Sequence, residues 1–517
     1  MKNEYIFYNG NIITLDTNKQ QPEAVFVKDN IIYSIGSLNR MKNEASNPEM
    51  IDLKGKILIP AMTDAHTHFV ATAMHQMTLD VSDCKTDDEF VRKLTEYRDN
   101  QEQLLKKLGI NTPISWIQGY GWQKSLIDRF KNINSNLIDQ VFPDIPVNLA
   151  SKDLHANLVN TKVLKLISKD SDLAYYQHNP RFNDGFLGEH SWTLLNKYRP
   201  DLDVDVQKKL IQNQIHKCHK YGLCGVHSLE PLKYAKIIRE VSLDKSFYFT
   251  WYYQDLNPKK EIDFDYKSFF LAESEYFRNG GIKIFSDGAL GSDTAWMIEN
   301  MYDGFSKDNK DYIMEIFKEM IAANSQKIQF AVHVIGDYAV YFIASSIKEE
   351  NKLLKNKTKH RLEHCQAVYP GHFDLLKDAN IHVSMQPVHM KTDIELINQK
   401  WEHAKEYSFP LNSISNRVEL ALGSDSPVET INPFEGIRWA INRDGFLEQE
   451  AISLEEALKA YTYKHHVIAN KKINYGMIKK NQIANLIVIP KDAFDDPESY
   501  INEVDMTMID GKIVFSS

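Results

Sequence analysis

A chain of 517 residues exceeds the usual size of one domain and leaves room for a large catalytic domain plus a smaller module. Its net charge of −9, with the two signs interspersed, excludes the basic stripe that nucleic-acid binding needs. A hydrophobic fraction of 43% supports a sizeable core, yet no run of about 18 apolar residues is there to span a membrane.

The N-terminus, MKNEYIFYNGNIITLD, lacks the apolar stretch of a signal peptide. The four cysteines (Cys84, Cys218, Cys224 and Cys365) show no CxxC pair or framework spacing, so reduced thiols and a cytoplasmic location are expected. Cys224 and Cys365, in apolar strands, read as buried bystanders.

In chain order, residues 5–60 read as short strands: YIFYNGNIITL, AVFVKDNIIYSIG and MIDLKGKILIP, punctuated by Asn-Gly, Asp-Asn and Lys-Gly turns. The far C-terminus repeats that texture in ANLIVIP and MTMIDGKIVFSS. The simplest account is a small β domain built from both ends, residues 1–57 and 466–517, bracketing residues 58–465.

Within the bracket, short apolar runs alternate with amphipathic helical stretches, the pattern of parallel β/α units. The runs fall at 58–68, 224–230, 247–254, 281–288, 328–337, 360–367, 381–388 and 418–427. That is the number a (β/α)₈ barrel of the α/β class needs. The stretch of about 90–215, with WIQGYGW and PVNLASKDLHANLVN, then reads as an insertion after the first strand, although PVNLASKDL is an alternative barrel strand. Helices are expected over 203–218, where Leu210, Ile211, Ile215 and Cys218 share a face, and over 311–324, where Ile313, Ile316, Phe317, Met320 and Ile321 do.

His66 and His68 form an HTH triplet at the end of the first run. Residues two apart on a strand point to one face, so both imidazoles can reach one ion. Alone the triplet is a weak signal, and two histidines filling polar positions in a loop account for it better. Later runs each end in a further candidate: Lys283, His333, His364 and Asp425. Barrel strands present their C-terminal ends to a common mouth, which would bring these distant residues together.

The ordered set DAHTH, KIFSDGALGSDTA, HVIGD, RLEHCQ and GSDSPV, followed by GMIKKNQIANLIVIP, resembles the amidohydrolase superfamily. More narrowly it resembles the YtcJ-like branch that includes N-substituted formamide deformylase, over about residues 5–515. The segments GYGW, DLHANLVN, SMQP and AYT fit that branch too. The resemblance implies a distorted TIM barrel, a β-sandwich made from both termini, and one or two divalent ions, zinc first among them. By motif, His66, His68, His333, His364 and Asp425 become metal-site residues. Lys283 matches a lysine that can be carbamylated to bridge two metals; unmodified, its ammonium has no lone pair to offer. Three positions depart from the pattern: Asn485 for Asp, Ala61 for Gly, and Asp293 where Arg is common, the last beside the expected mouth.

The expected chemistry is hydrolysis of a non-peptide C–N bond, amide or formamide-like, in a small molecule. Metal-activated hydroxide would attack, and Asp425 would carry its proton to the departing amine. Trp122, His155, Asn160, Gln386 and His389 are candidates to bind the substrate, with Tyr120 beside them. Hydrolytic deamination, ester or lactone hydrolysis, and a non-catalytic metal-binding role are the alternatives. A homodimer is the expected assembly.

Overall fold

The apolar runs in the middle of the chain pair side by side in the computed structural model, which describes residues 4–16, 21–122, 133–151, 156–188, 191–254, 270–299, 327–353, 358–494 and 501–517. Eight parallel strands form one sheet in chain order: Met62–Thr67, Leu223–Glu230, Tyr248–Gln254, Phe277–Phe285, Phe330–Val334, Arg361–His364, His382–Met385 and Leu420–Leu422. We number them barrel strands one to eight. Each overlaps a run expected from the sequence.

The sheet curls into a nearly closed barrel where strand eight returns to strand one. Thr67 bridges Ser426 in parallel register. The Asp425 N–H donates to the His66 carbonyl (2.8 Å), and the His68 N–H donates to the Ser426 carbonyl (2.9 Å). Buried Asp64 adds its carboxylate to this seam, accepting the N–H groups of His66 (2.9 Å) and Ser424 (3.1 Å). Burial pushes the Asp64 carboxyl up to about 7, against the pull of those hydrogen bonds. Gly423 admits the close approach: a Cβ there would lie 2.5 Å from the His66 nitrogen and 2.7 Å from the Asp64 carboxylate.

Helices follow the strands with apolar residues at helical spacing. Leu232–Val241 buries Ala235, Ile238 and Val241, and Asp337–Leu353 buries Val340, Ile343, Ala344 and Ile347. The helix expected over 203–218 is Val204–Lys220, with Leu210, Ile211, Ile215 and Cys218 buried. The one expected over 311–324 lies outside the described residues.

The chain ends build two further sheets within the same compact unit as the barrel. A four-stranded sheet runs Ile31–Gly36, Ala24–Lys28, Glu4–Tyr8, Glu49–Asp52. A five-stranded sheet runs Asn11–Ile12, Ile57–Pro60, Leu486–Ile489, Met506–Ile509, Lys512–Ser516. Phe7, Val25, Val27 and Leu58 from one end of the chain share a core with Leu486, Val488 and Met508 from the other. The run at 58–68 divides between two sheets. Ile57–Pro60 pairs with Leu486–Ile489 in the sandwich, and Met62–Thr67 pairs with Leu223–Glu230 in the barrel. Ala61 sits at the junction, its N–H on the Asn485 carbonyl (2.9 Å). The Asn485 side chain takes the Asp510 N–H (2.8 Å), so two of the unusual residues meet where the terminal sheet passes into the barrel.

Residues 73–213 form a second compact unit. Its sheet runs Phe186–Leu187, Asn157–Val159, Val147–Ser151, Ile117–Trp122, Leu79–Asp80. Within PVNLASKDL, Val147–Ser151 therefore contributes to this sheet and not to the barrel. Among the described residues, no helix is long and apolar enough to cross a membrane. All four cysteines are free and buried.

The seam sets a prediction. Gly423→Ala forces a Cβ against backbone that is itself hydrogen-bonded, and should cost about 1–3 kcal/mol, the usual range for overpacking. Gly291, around which a Cβ would meet nothing within 4 Å, is the control. Gly291→Ala should stay within about 0.5 kcal/mol of the parent. Urea unfolding midpoints compare the two variants.

Candidate metal centre

The seam and the neighbouring strand ends deliver the expected residues to one place. His66 lies on strand one and His68 just beyond it, Lys283 on strand four, His333 on strand five, His364 at the end of strand six, and Asp425 after strand eight. Ligand atoms of His66, His364 and Asp425 all fall within 4.8 Å of one another. Asp425 Oδ1 is 3.3 Å from His66 Nε2 and 3.4 Å from His68 Nε2. The edge of a tetrahedron around an ion with bonds of about 2.0–2.1 Å is about 3.4 Å, so these separations suit such an ion. The His333 and His364 ring centroids are 4.5 Å apart, and Lys283 Nζ is 3.5 Å from His66 Nε2.

The partners of the other ring nitrogens show which lone pairs face inward. His66 donates its Nδ1–H to the Glu363 carboxylate at 2.5 Å. His68 Nδ1 faces the Leu229 carbonyl at 3.2 Å, and His364 Nδ1 faces the Gln386 side-chain oxygen at 2.7 Å. An N–H must occupy each of these positions, because the partner is only an acceptor. That leaves Nε2 of His66, His68 and His364 as electron-pair donors. His333 is reversed: its Nε2 donates to the Gly288 carbonyl at 2.9 Å, leaving Nδ1. Metal-bound histidines are held this way, by a carbonyl or carboxylate on the far nitrogen.

Asp425 Oδ1 is buried and has no hydrogen-bond partner. A carboxylate oxygen faced by imidazole lone pairs requires a positive charge between them, either a proton or a cation. The residues present therefore fit a divalent ion. Backbone geometry marks the same spots: His364 has φ 75° and Asp425 φ 58°, left-handed values unusual for side-chain-bearing residues.

Electrostatics follow from burial and these neighbours. Burial drives His364 well below the usual imidazole range, with the nearby His333 and His66 adding to it. Burial and then the Lys283 charge push His333 down to about 3, so both rings are neutral and able to donate electron pairs. Burial opposes the charge on Asp425, but the protonated His389 ring at its second oxygen leads the contacts that hold the carboxyl well below its ordinary value. Burial pushes Lys283 down to about 8, against the attraction of Glu363 and Asp425.

Several residues take roles other than those expected. Gln386, expected at the substrate, is buried and spends its oxygen on orienting His364. Asn160 caps the helix Thr161–Ile167 by accepting the Val163 N–H. It also accepts the Val147 N–H and donates to the carbonyls of Phe142 and Ile145, so its amide is fully committed within its own unit. Trp122 is likewise packed there, with its indole N–H on the Leu149 carbonyl (2.7 Å) and Phe186 at its ring. Neither side chain keeps a polar atom for a substrate. His155 lies outside the described residues. His389 does belong to the centre, its Nε2 3.5 Å from Asp425 Oδ2. Burial works against a charge on His389, but the Asp425 carboxylate outweighs it and pushes the ring up to about 9. Asp293 is engaged by Lys400 (2.9 Å), which also donates to the Gly291 carbonyl (2.8 Å) and so ties down the loop after strand four.

Glu363, Arg361, His227 and Asp287 join the site without having been expected from the sequence. Asp287 accepts the N–H groups of Trp296 (3.0 Å), Ile335 (3.0 Å to its other oxygen) and Gly336 (2.8 Å), fixing the loops after strands four and five. Arg361 and Glu363 are fully buried within a strand otherwise surrounded by apolar runs. Charges at i and i+2 in such a strand are the signal that marks them as facing the barrel interior.

Replacing the acceptor on His364 tests this arrangement. Gln386→Leu keeps the volume but leaves the His364 Nδ1–H unsatisfied. Metal affinity should fall about 10–100-fold, measured by competition with a chromophoric chelator. Unchanged affinity would show that the Gln386 bond does not set the ring.

With the geometry established, comparison with known proteins adds the family. A family model described as the amidohydrolase family matches residues 49–515. The putative amidohydrolase YtcJ of Bacillus subtilis is 27% identical, with 99% of each chain covered. N-substituted formamide deformylase of Arthrobacter pascens is 25% identical, covering 98% of this chain and 97% of that one. Among solved structures, an uncharacterized metal-dependent hydrolase from Pyrococcus furiosus superposes with a TM-score of 0.76 at 23% identity, covering 96% of this chain and 100% of that chain. A nearly closed eight-stranded barrel and a family match over most of the sequence agree: the chain belongs to the amidohydrolase family and is a hydrolase of carbon–nitrogen bonds.

Proposed function

We propose that this hydrolase cleaves the C–N bond of a formamide or related small amide, using a single zinc ion held by His66, His68, His364 and Asp425. The observation that carries the reading is the buried Asp425 oxygen, unpartnered and faced by imidazole nitrogens. The formamide class is supported by the full-length similarity to the deformylase. Imidazole and carboxylate donors suit zinc.

The ion would supply Lewis acidity, polarising the substrate carbonyl and making a water easier to deprotonate. Asp425 takes the proton that this water loses as its oxygen bonds to the carbonyl carbon. The same carboxylate then delivers the proton to the nitrogen as the C–N bond breaks, so water is divided between acid and amine. His389 holds the second Asp425 oxygen and keeps the carboxylate turned toward the reacting atoms. Lys283 enters uncarbamylated, as an ammonium outside the ligand set, and the reading requires about one metal per chain.

A panel of N-substituted formamides, read as formate and amine release, tests the proposal. Asp425→Asn should lower kcat by about 10²–10⁴, the usual worth of general acid–base help. Chelation should abolish turnover and added zinc should restore it. Turnover indifferent to both the chelator and the substitution would refute the proposal. Two metals per chain, with a mass increment of one CO₂ on the Lys283 peptide, would replace the single-ion form with a carbamate-bridged pair.

A further inference from the structure

Arg361 touches none of the reacting atoms, yet three of its five donors go to the groups that hold His66. A guanidinium has five N–H donors in a planar fork and no acceptor. Nε of Arg361 donates to Glu363 Oε1, and one terminal nitrogen donates to Glu363 Oε2 (2.9 Å). That same nitrogen also donates to the carbonyl of Ala65 (2.8 Å), the residue before His66. The other terminal nitrogen reaches His227 Nδ1 (2.8 Å) and the Tyr252 hydroxyl (3.2 Å). Five donors meet five acceptors, and the side chain is fully buried.

Because arginine only donates, the direction of every bond around it is fixed. Glu363 accepts from Arg361 on both oxygens, and its Oε2 also accepts the His66 Nδ1–H. His227 must accept at Nδ1, which places its proton on Nε2 and directs that N–H to His465 Nδ1 at 3.3 Å. The Tyr252 hydroxyl, accepting from Arg361, donates to Gln329 Oε1 (2.8 Å). Gln329 in turn donates to the carbonyls of Lys359 and Ile468 (both 2.7 Å). The fork is thus braced from the helix Lys464–Ile468 and grips His66 at two points, the backbone before it and the carboxylate on its ring.

We infer that Arg361 is the positioning residue of the metal centre, fixing through Glu363 and the Ala65 carbonyl both the tautomer and the location of His66. The inference rests on the reading of His66 as a metal ligand. Lysine keeps the charge but has only three donors on a single nitrogen, so it cannot grip Ala65, Glu363, His227 and Tyr252 at once.

The test uses full-length Arg361→Lys loaded with cobalt(II) or zinc. Metal affinity is read by chelator competition, ligand geometry by the visible spectrum of the cobalt form, and fold by the cooperativity of thermal unfolding. A cooperatively folded variant with metal affinity lowered about 10–100-fold and an altered cobalt spectrum is the expected result. A folded variant with parental affinity and spectrum overturns the inference, since a purely structural arginine would leave both unmoved. If Arg361→Lys fails to fold, the double variant Arg361→Met with Glu363→Gln, which buries no unpaired charge, is read against the same two outcomes. Parental protein that takes up no metal would instead sink the metal-site reading, and this inference with it.

Discussion

The molecule depends on one junction, the return of the eighth barrel strand to the first. The peptide bonds that close the barrel belong to the residues that make the centre: His66 offers its carbonyl to the Asp425 N–H, and His68 its N–H to the Ser426 carbonyl. Closing the sheet and bringing Asp425 to the histidines are therefore one event. Asp64 and Gly423 show how tight it is, the first supplying a buried acceptor for two N–H groups and the second leaving room for them. A site built on such a seam inherits the rigidity of the fold and needs little ordering when a ligand arrives.

Around the junction, charge is distributed by depth. At the strand ends, His333 and His364 are kept neutral by burial, the state in which imidazole donates an electron pair. Deeper in the barrel lies a full ion pair, Arg361 with Glu363. Burial is costly for Glu363 as well, yet the guanidinium and His66 hold its carboxyl well below the ordinary range. A buried pair of this kind contributes little net stability but is expensive to break from one side, by about 3–5 kcal/mol. Its use here is geometric, giving the ring of His66 one orientation.

Much of this was legible in the sequence. The eight strands could be counted because parallel barrel strands, buried on both faces, read as apolar runs between helical stretches. Their ends could be picked out because His66, His333, His364 and Asp425 interrupt those runs. The two-ended sandwich was legible from turn chemistry, Asn-Gly near residue 10 and Asp-Gly near residue 510, flanked by β-branched residues. The roles of Gln386 and Asn160 were not, because an amide next to a site looks the same in sequence whether it faces a substrate or a neighbouring backbone. Arg361 and Glu363 were passed over for a related reason: charged residues are read as solvent-facing unless the strand is already known to be enclosed.

Anomalous diffraction from zinc-soaked crystals, recorded on both sides of the zinc absorption edge, tests the metal centre most directly. The expected result is a peak among the Nε2 atoms of His66, His68 and His364 and the Asp425 carboxylate, with Lys283 left out of the coordination. No peak at that position in zinc-replete crystals, or a peak coordinated by other residues, would contradict it.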